Sequence, residues 1–323
     1  MLRKKSTAAV NRQFYTWIYK RFMLINCIIC HGPMTLVGSN CRDYEYRYPG
    51  TFSLFRCSVC ELIKLHPVLS QEQLLSAYPA EYHGYNYDGE HSKIFNFLQA
   101  LRLKKRLSFY RHLIPGAANV LDIGCGDGHY LDNLVQITGW TITGIEFKKE
   151  IAVRGIKQGR NILVGTFEEI EFHDNYFDLI IMNHLIEHVR DPIKLLEKAK
   201  LKLKADGYII GELPNVESWD FQCFRKFWGG LHVPRHLHNF SPQALRLTAA
   251  AAGFDNCRIT FNLNTSHWAL SVQNLLQSSH FFKTGLHFGR TWYYNFLLVV
   301  FIPLNIVAKI FKKTGIMNFV IKK

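Results

Sequence analysis

The 323-residue sequence has no long hydrophobic run: its densest apolar stretch, Phe296 to Ile302, falls far short of the ~20 residues a membrane-spanning helix needs. The first apolar stretch, "FMLINCII", is short, is interrupted by Asn26 and lacks a small-residue cleavage site, so no export signal is expected. Internal repeats and low-complexity tracts are missing too. Acids are scarce, with 25 Asp and Glu against 39 Lys and Arg and a formal charge of +14. That excess favours an acidic partner: nucleic acid, an anionic membrane face or a phosphorylated substrate. The basic residues are spread along the chain without an arginine-rich tail, so a basic but soluble enzyme fits equally well. Without export, the eight cysteines point to metal or buried thiols rather than disulfides. A hydrophobic share of 48% and a charged share of 20% are ordinary for a protein with a real core.

The pattern along the chain divides it into five stretches. Residues 1–22 are a basic, aromatic leader, and Met23 opens a stretch that would make a sensible start. Residues 23–66 are short apolar runs split by Gly, Pro and cysteine pairs. Residues 67–116 form a helical linker, with Ser70 as a cap, Glu72 in the first turn, and a basic helix "KIFNFLQALRLKKRLSFYRHL" running to the boundary at Pro115-Gly116. From 117 to 263, strands at 118–123, 141–146, 161–164, 177–182, 207–213 and 257–262 alternate with helical patterns such as "DPIKLLEKAKLKLKADG", with Pro192 at an early helical turn and Gly207 past its end. This alternation argues for a parallel sheet covered on both faces. Residues 264–323 are aromatic and apolar.

The strand at 118–123 ends in "VLDIGCGDGHYL", where three glycines fall within five residues. Such a turn lets backbone approach a ligand at a helix N-terminus. The third glycine comes one residue early for the dinucleotide fingerprint G-x-G-x-x-G. Asp122 and Asp127 would repel a pyrophosphate but not a cationic sulfonium amino acid. Glu146 ends the next strand, 22 residues after Gly124, where an acid can accept hydrogen bonds from two ribose hydroxyls.

On these residues the sequence resembles the class I S-adenosylmethionine-dependent methyltransferases. "VLDIGCGDG" is similar to their first motif and "GIEF" to the acidic end of their second strand. "FHDNYFDLIIMNHLIEHVRDP" and "LKADGYIIGELPN" resemble the segments around their fourth and fifth strands. The resemblance implies a Rossmann-like α/β fold with a seven-stranded, mostly parallel sheet and an antiparallel last strand. Strand six then fits 257–262 and strand seven "IMNFVIKK". It also implies that Asp122, Gly124, Cys125, Gly126 and Gly128 line the methionine side of S-adenosylmethionine, that Glu146 binds the ribose and that Phe147 lies against the adenine. Thr166 stands where the family often has an acid near the adenine amine; the Phe167 backbone or Glu168 would substitute. Asn183 completes the implied cofactor set.

Cys27-x-x-Cys30 and Cys57-x-x-Cys60, 26 residues apart, suit tetrahedral thiolate ligation of a structural zinc. Cys41 reads as a bystander. Buried thiols without metal are the competing reading, and "CIICH" also fits haem attachment, which would need export. A zinc ribbon ahead of such a domain resembles one methyltransferase group acting on sugars and small metabolites, although Glu61 stands where Gly is typical there. A weaker parallel is a ribosomal RNA guanine methyltransferase group.

For the acceptor side, the loop "LHVPRHLHNFSPQAL" follows the fifth strand and carries His232, Arg235, His236 and His238. Ligands of open α/β sheets lie at the carboxyl ends of the strands, so this loop can cover the acceptor. His236 is the expected general base, beside His238, with Arg235 holding an anionic group; docking of the loop is the competing role. "HLIEH" is similar to the "ExxEH" stretch of quinone O-methyltransferases, and on a helix His184 and His188 would share a face. Together these readings predict O-methylation of a small or lipid-linked acceptor, such as a cell-envelope sugar or quinone-like phenol. An RNA base methyltransferase and a non-catalytic cofactor-binding scaffold are the alternatives. Residues 291–313 are either an interfacial helix pair on an anionic membrane or a packed cap over the site. The expected location is cytoplasmic, with peripheral contact to the inner membrane face.

Overall fold

The computed structural model describes residues 25–79, 82, 93–136, 139–279 and 293–323. The leader 1–22 and residues 291–292 lie outside the described residues. Two sheets organise the chain. The larger has seven strands: β4 (Ala118–Ile123), β5 (Trp140–Glu146), β6 (Ile162–Val164), β7 (Phe177–Ile181), β8 (Leu203–Pro214), β10 (Cys257–Phe261) and β11 (Ile316–Lys322). Their order is β10-β11-β8-β7-β4-β5-β6. β4 pairs in parallel with β5 and β7, and the parallel set extends to β6 and β8, while β11 runs antiparallel between β8 and β10. This is the Rossmann-like methyltransferase arrangement that the sequence motifs imply.

The parallel strands alternate apolar side chains to both faces, which is why they read as near-continuous hydrophobic runs. Val120, Ile142, Leu179 and Ile181 pack on one face against Leu131, Leu134 and Ala152 from the following helices. Leu121, Ile123, Ile145 and Ile180 pack on the other, against Leu195, Leu196, Leu245 and Ala249. Burying each such Leu or Ile contributes about 1.5–3 kcal/mol. The same second cluster includes Cys27, Met34, Phe55, Cys57 and Cys60, so the N-terminal segment shares this core.

The smaller sheet holds β1 (Met34–Cys41), β2 (Phe52–Cys57), β3 (Ile63–His66) and β9 (His238–Asn239), in that order. The fourth strand therefore comes from the histidine-rich loop, with Ile63 opposite Asn239 and Lys64 opposite His238. Ahead of the larger sheet stand α1 (Gln71–Ser76), whose cap is a full box in which Ser70 and Gln73 bond each other's backbone, and α2 (Lys93–Leu113).

Helix α5 (Pro192–Lys202) starts as expected, with Asp191 capping Lys194 N–H and Pro192 in the first turn. It ends earlier than its sequence pattern implies. Leu203 pairs with Phe177 and already belongs to β8. Gly207 is inside that strand, where a Cβ would sit 2.9 Å from the Leu203 side chain and 3.2 Å from the Phe177 carbonyl. Between β10 and β11 lie α8 (Ser266–Ser278), α9 (Tyr294–Val300) and α10 (Ile302–Ile310).

Candidate active site

The turn after β4 is built by glycine backbone. Gly124 and Gly126 have φ of 80° and 61°, the left-handed region that costs other residues energy. Gly124 N–H and Cys125 N–H both donate to the Ile145 carbonyl, at 2.8 and 3.0 Å. Gly126 N–H donates to one oxygen of Glu146 (3.1 Å), and Lys148 N–H donates to the other (2.8 Å). Glu146 thus holds the turn while each oxygen keeps a further lone pair for a ligand hydroxyl. Gly128 stands at the N-cap of α3 (His129–Val135). Cys125 packs inward against Gly144, where a Cβ would come within 2.5 Å of its sulfur. Gly155, in α4 (Lys149–Ile156), is a position the sequence reading did not single out. A Cβ there would meet the Asp127 carbonyl at 2.0 Å, so the helix lies directly against the turn.

Asp122 is buried at the end of β4. Burial pushes its carboxyl up to about 7, opposed by the nearby Arg106 guanidinium. Arg106, contributed by α2, bonds Glu212 of β8 at 2.7 Å. Burial alone would raise Glu212, but Arg106 and His184 hold its carboxyl down to about 2. The segment after β7 closes this side, with Leu185 reaching 3.4 Å from a Cβ placed on Gly124. Phe147 is half-buried beside Glu146, and Asn183 is half-buried on the turn after β7. Thr166 N–H donates to Glu169 within a turn, and the Phe167 ring is buried in the core beside Phe172.

The acceptor side departs from the sequence reading in three ways. Residues 183–189 are turns, not a helix, so His184 and His188 do not share a helical face. His184 instead sits between Glu187 (3.3 Å) and Glu212 (3.6 Å), and His188 stands edge-on to His236 at 4.6 Å. Second, Arg235 is fully buried with its donors engaged. Nε donates to the Ala77 carbonyl (2.6 Å), Nη1 to the Val233 carbonyl (3.2 Å) and Nη2 to Asp43 (2.8 Å). Its guanidinium lies 4.6 Å from the Tyr46 ring centre. It ties the loop to the N-terminal segment and has no free fork for an anionic acceptor. Third, His238 donates from Nε2 to the Arg190 carbonyl (3.2 Å) within β9, and burial lowers it to about 4. It is a strand residue.

His236 is placed differently. Its Nδ1–H donates to the Gly230 carbonyl at 2.8 Å, and its Nε2 lies 3.9 Å from a Glu187 oxygen. Burial, reinforced by His188, holds it well below the ordinary histidine range, so it is neutral. Tyr78 connects this cluster to the cofactor strand. Its hydroxyl is 2.8 Å from His188 Nδ1, its ring is 5.8 Å from that of Phe147, and its carbonyl accepts from Lys148 Nζ. Beyond His236, His232 bonds buried Glu45 through Nδ1 and stands 3.1 Å from the Tyr82 hydroxyl through Nε2. Burial, then Asp43, pushes Glu45 up to about 8.

A family profile described as a methyltransferase domain matches residues 92–259, just over half of the chain. The chain belongs to this S-adenosylmethionine-dependent methyltransferase family. The methyltransferase is 28% identical over 190 residues to a ubiquinone biosynthesis O-methyltransferase of Paraburkholderia phymatum, covering 54% of this chain and 80% of that protein. It is 29% identical over 125 residues to an uncharacterized protein of Methanocaldococcus jannaschii, spanning 38% of this chain and 57% of that protein. A tRNA U34 carboxymethyltransferase of Nautilia profundicola is 30% identical over 98 residues, 28% of this chain and 33% of that protein. Among solved structures, a phospholethanolamine N-methyltransferase 2 of Haemonchus contortus aligns with a TM-score of 0.50 at 14% identity, covering 99% of this chain and 75% of that one, a likeness of fold.

The methyltransferase carries the glycine turn, the buried acid at Asp122 and the turn-holding acid at Glu146 in an arrangement compatible with S-adenosylmethionine. The N-terminal thiols form a second cluster. Cys27 and Cys60 sulfurs are 3.4 Å apart, as are those of Cys30 and Cys57, and all four lie within 4.8 Å of one another. A tetrahedron of 2.3 Å zinc–sulfur bonds has edges of about 3.8 Å, so the cluster is compatible with that metal. Backbone N–H groups of Ile29 and Val59 point at Cys27 and Cys57 sulfurs at 3.4 Å, which favours thiolates. Cys41 is buried away from the cluster, its thiol pushed up to about 11 by burial. Tyr78, Arg106, Glu45 and Asp43 went unremarked in the sequence, since their roles come from distant segments. The tyrosine-rich stretch after the second cysteine pair was the one local sign.

Proposed function

We propose that this methyltransferase moves a methyl group from S-adenosylmethionine to a hydroxyl of a small or lipid-linked acceptor, with His236 as the general base. The observation that carries this is the state of His236. Burial keeps it neutral, its Nδ1–H donates to the Gly230 carbonyl, and its Nε2 lies 3.9 Å from a Glu187 oxygen. Glu187 Oε2 has no hydrogen-bond partner among the described residues. A proton arriving on Nε2 would therefore be stabilised by a carboxylate already in place.

S-adenosylmethionine, when bound, supplies an electrophilic methyl on sulfonium. Gly124 and Gly126 would let the backbone approach it, Asp122 would meet its ammonium, and Glu146 would accept from its ribose hydroxyls. Methyl transfer is an in-line displacement, so alignment supplies most of the rate. Tyr78 spans the gap between Phe147 and His188 and orients the acceptor side relative to the cofactor side. The P. phymatum relative, named for ubiquinone biosynthesis, makes a phenol the first acceptor class to try. We read the thiol cluster as a structural zinc site that holds the N-terminal sheet, since four thiolates leave no open position.

The test is turnover of His236→Ala and His236→Gln with a panel of phenols and sugars, alongside S-adenosylhomocysteine binding. A loss of about 100- to 10,000-fold in kcat with cofactor affinity retained is expected for a removed base. Turnover equal to the parent would reject His236.

A further inference from the structure

The C-terminal helix pair turns the wrong way for a helical cap. In α10 the residues facing the protein are Asn305 and Ala308, both fully buried. The residues facing outward are Ile302, Leu304, Ile306, Val307 and Ile310, with Phe311 just beyond. Phe296 and Val299 of α9 continue the same outward surface. Exposure is 73% for Ile310, 66% for Phe296, 64% for Val299 and 61% for Phe311, values expected of charged side chains on a surface helix. A surface so apolar and contiguous calls for a partner.

The pair is firmly seated. Phe301 stacks on Trp268 of α8 at 5.0 Å, Asn305 donates to the Asn264 carbonyl, and Thr265 donates to the Leu298 carbonyl at 2.8 Å. Its polar contacts therefore point inward and its apolar groups outward. Neither helix is long enough to cross a bilayer: α9 has 7 residues and α10 has 9. Charge completes the picture. No Asp or Glu occurs after Asp255, while residues 256–323 hold eight Lys and Arg. Lys309 and Lys312 are exposed at the end of α10 and have no ion pair among the described residues.

We propose that α9 and α10 dock the protein on an anionic bilayer surface, lying in the plane of the interface with Phe296, Val299, Ile306, Ile310 and Phe311 inserted and Lys309 and Lys312 at the headgroups. An in-plane apolar face with flanking cations gains both acyl-chain burial and attraction to acidic lipids. A second copy of the chain would cover the apolar face but would bring the exposed Lys309 and Lys312 of both copies to the same seam. This inference rests on the surface and not on the base assignment. It strengthens the case for a lipid-linked acceptor.

The experiment is co-sedimentation of the full chain with vesicles of phosphatidylcholine alone and of phosphatidylcholine with phosphatidylglycerol. Two variants, Ile306→Asp/Ile310→Asp and Lys309→Glu/Lys312→Glu, are compared with the parent. S-adenosylhomocysteine binding by calorimetry verifies the fold of each protein independently of any acceptor. The parent is expected to pellet with the acidic vesicles and remain largely in solution with the neutral ones. Each double variant should lose on the order of tenfold or more in partitioning while binding S-adenosylhomocysteine normally. Unchanged partitioning of the Asp variant, or a folded parent that ignores acidic vesicles, overturns the proposal. So does a parent dimer that ignores vesicles and is split by the Asp substitutions.

Discussion

Replacing Asp122 by Asn should separate the cost of the cofactor site from its use. The Asp122 carboxyl is buried and raised from an ordinary 3.8 to about 7. Between these values the folded protein holds a proton that the unfolded chain has released, so stability falls as pH rises from about 4 to about 7 and is level above. Three pH units at 1.36 kcal/mol each give a cost near 4 kcal/mol for keeping the ionised acid in place at neutral pH. Asn is neutral and nearly the same shape. The unliganded Asp122→Asn protein is therefore expected to be more stable than the parent by a few kcal/mol at about pH 8 and little different at about pH 4.5. Buried histidines oppose this trend in both proteins. His236 and His188 are lowered, and burial holds His238 at about 4 and His267 at about 3, so each makes the fold less stable as pH drops below the unfolded histidine value. Only the difference between parent and variant isolates Asp122. The assay is denaturant unfolding across that pH range, followed by calorimetry with S-adenosylmethionine. The variant should bind about 10- to 150-fold more weakly, the worth of one charge-assisted hydrogen bond to the ligand ammonium. A stability difference that does not change with pH would refute the reasoning.

Two further outcomes bear on the N-terminal sheet. Metal analysis of the purified chain should find about one zinc per molecule, and removing it with a chelator, or substituting Cys57→Ser, should lower the melting temperature and expose the shared core; a metal-free chain of unchanged stability would reject the zinc reading. Arg235→Met should cost roughly 3–5 kcal/mol in denaturant unfolding by leaving Asp43 buried without its partner, and restoring neutrality with Asp43→Asn should recover part of that loss. No recovery in the double variant would show that the pair is not coupled as the geometry indicates.

Much of the fold was legible because a buried parallel sheet repeats one simple pattern. β4 is placed to the residue and β5, β7 and β10 within one, since β4 and β7 are largely apolar runs and β5 and β10 alternate apolar with polar side chains. The start of β8 was not legible. "KLLEKAKLKLKADG" continues helical spacing past Lys202, and only pairing of Leu203 with Phe177 ends the helix there. The geometry of the glycine turn was readable because glycine spacing and the acid at Glu146 act locally. The histidine loop was not, because burial and partners decide what His236, His238 and Arg235 do. Asp43 is 192 positions away from Arg235, and Glu45 is 187 from His232. The apolar C-terminal helices were equally ambiguous, since composition does not say which face turns inward.

The short strand β9 has a consequence for how such proteins diverge. Leu237 and His238 N–H groups both donate to the Glu187 carbonyl, the Leu237 carbonyl accepts from Leu65, and Ser241 bonds the Cys60 carbonyl. The residues around the proposed base are thus tied to β3 of the smaller sheet and to the segment that follows β7 of the larger one. The cysteine segment shares a core with the larger sheet and is bonded to the histidine loop, so it is not a detachable attachment. Grafting it from a relative without the matching loop would shift His236 relative to the methyl donor, so the two are expected to be inherited as one block.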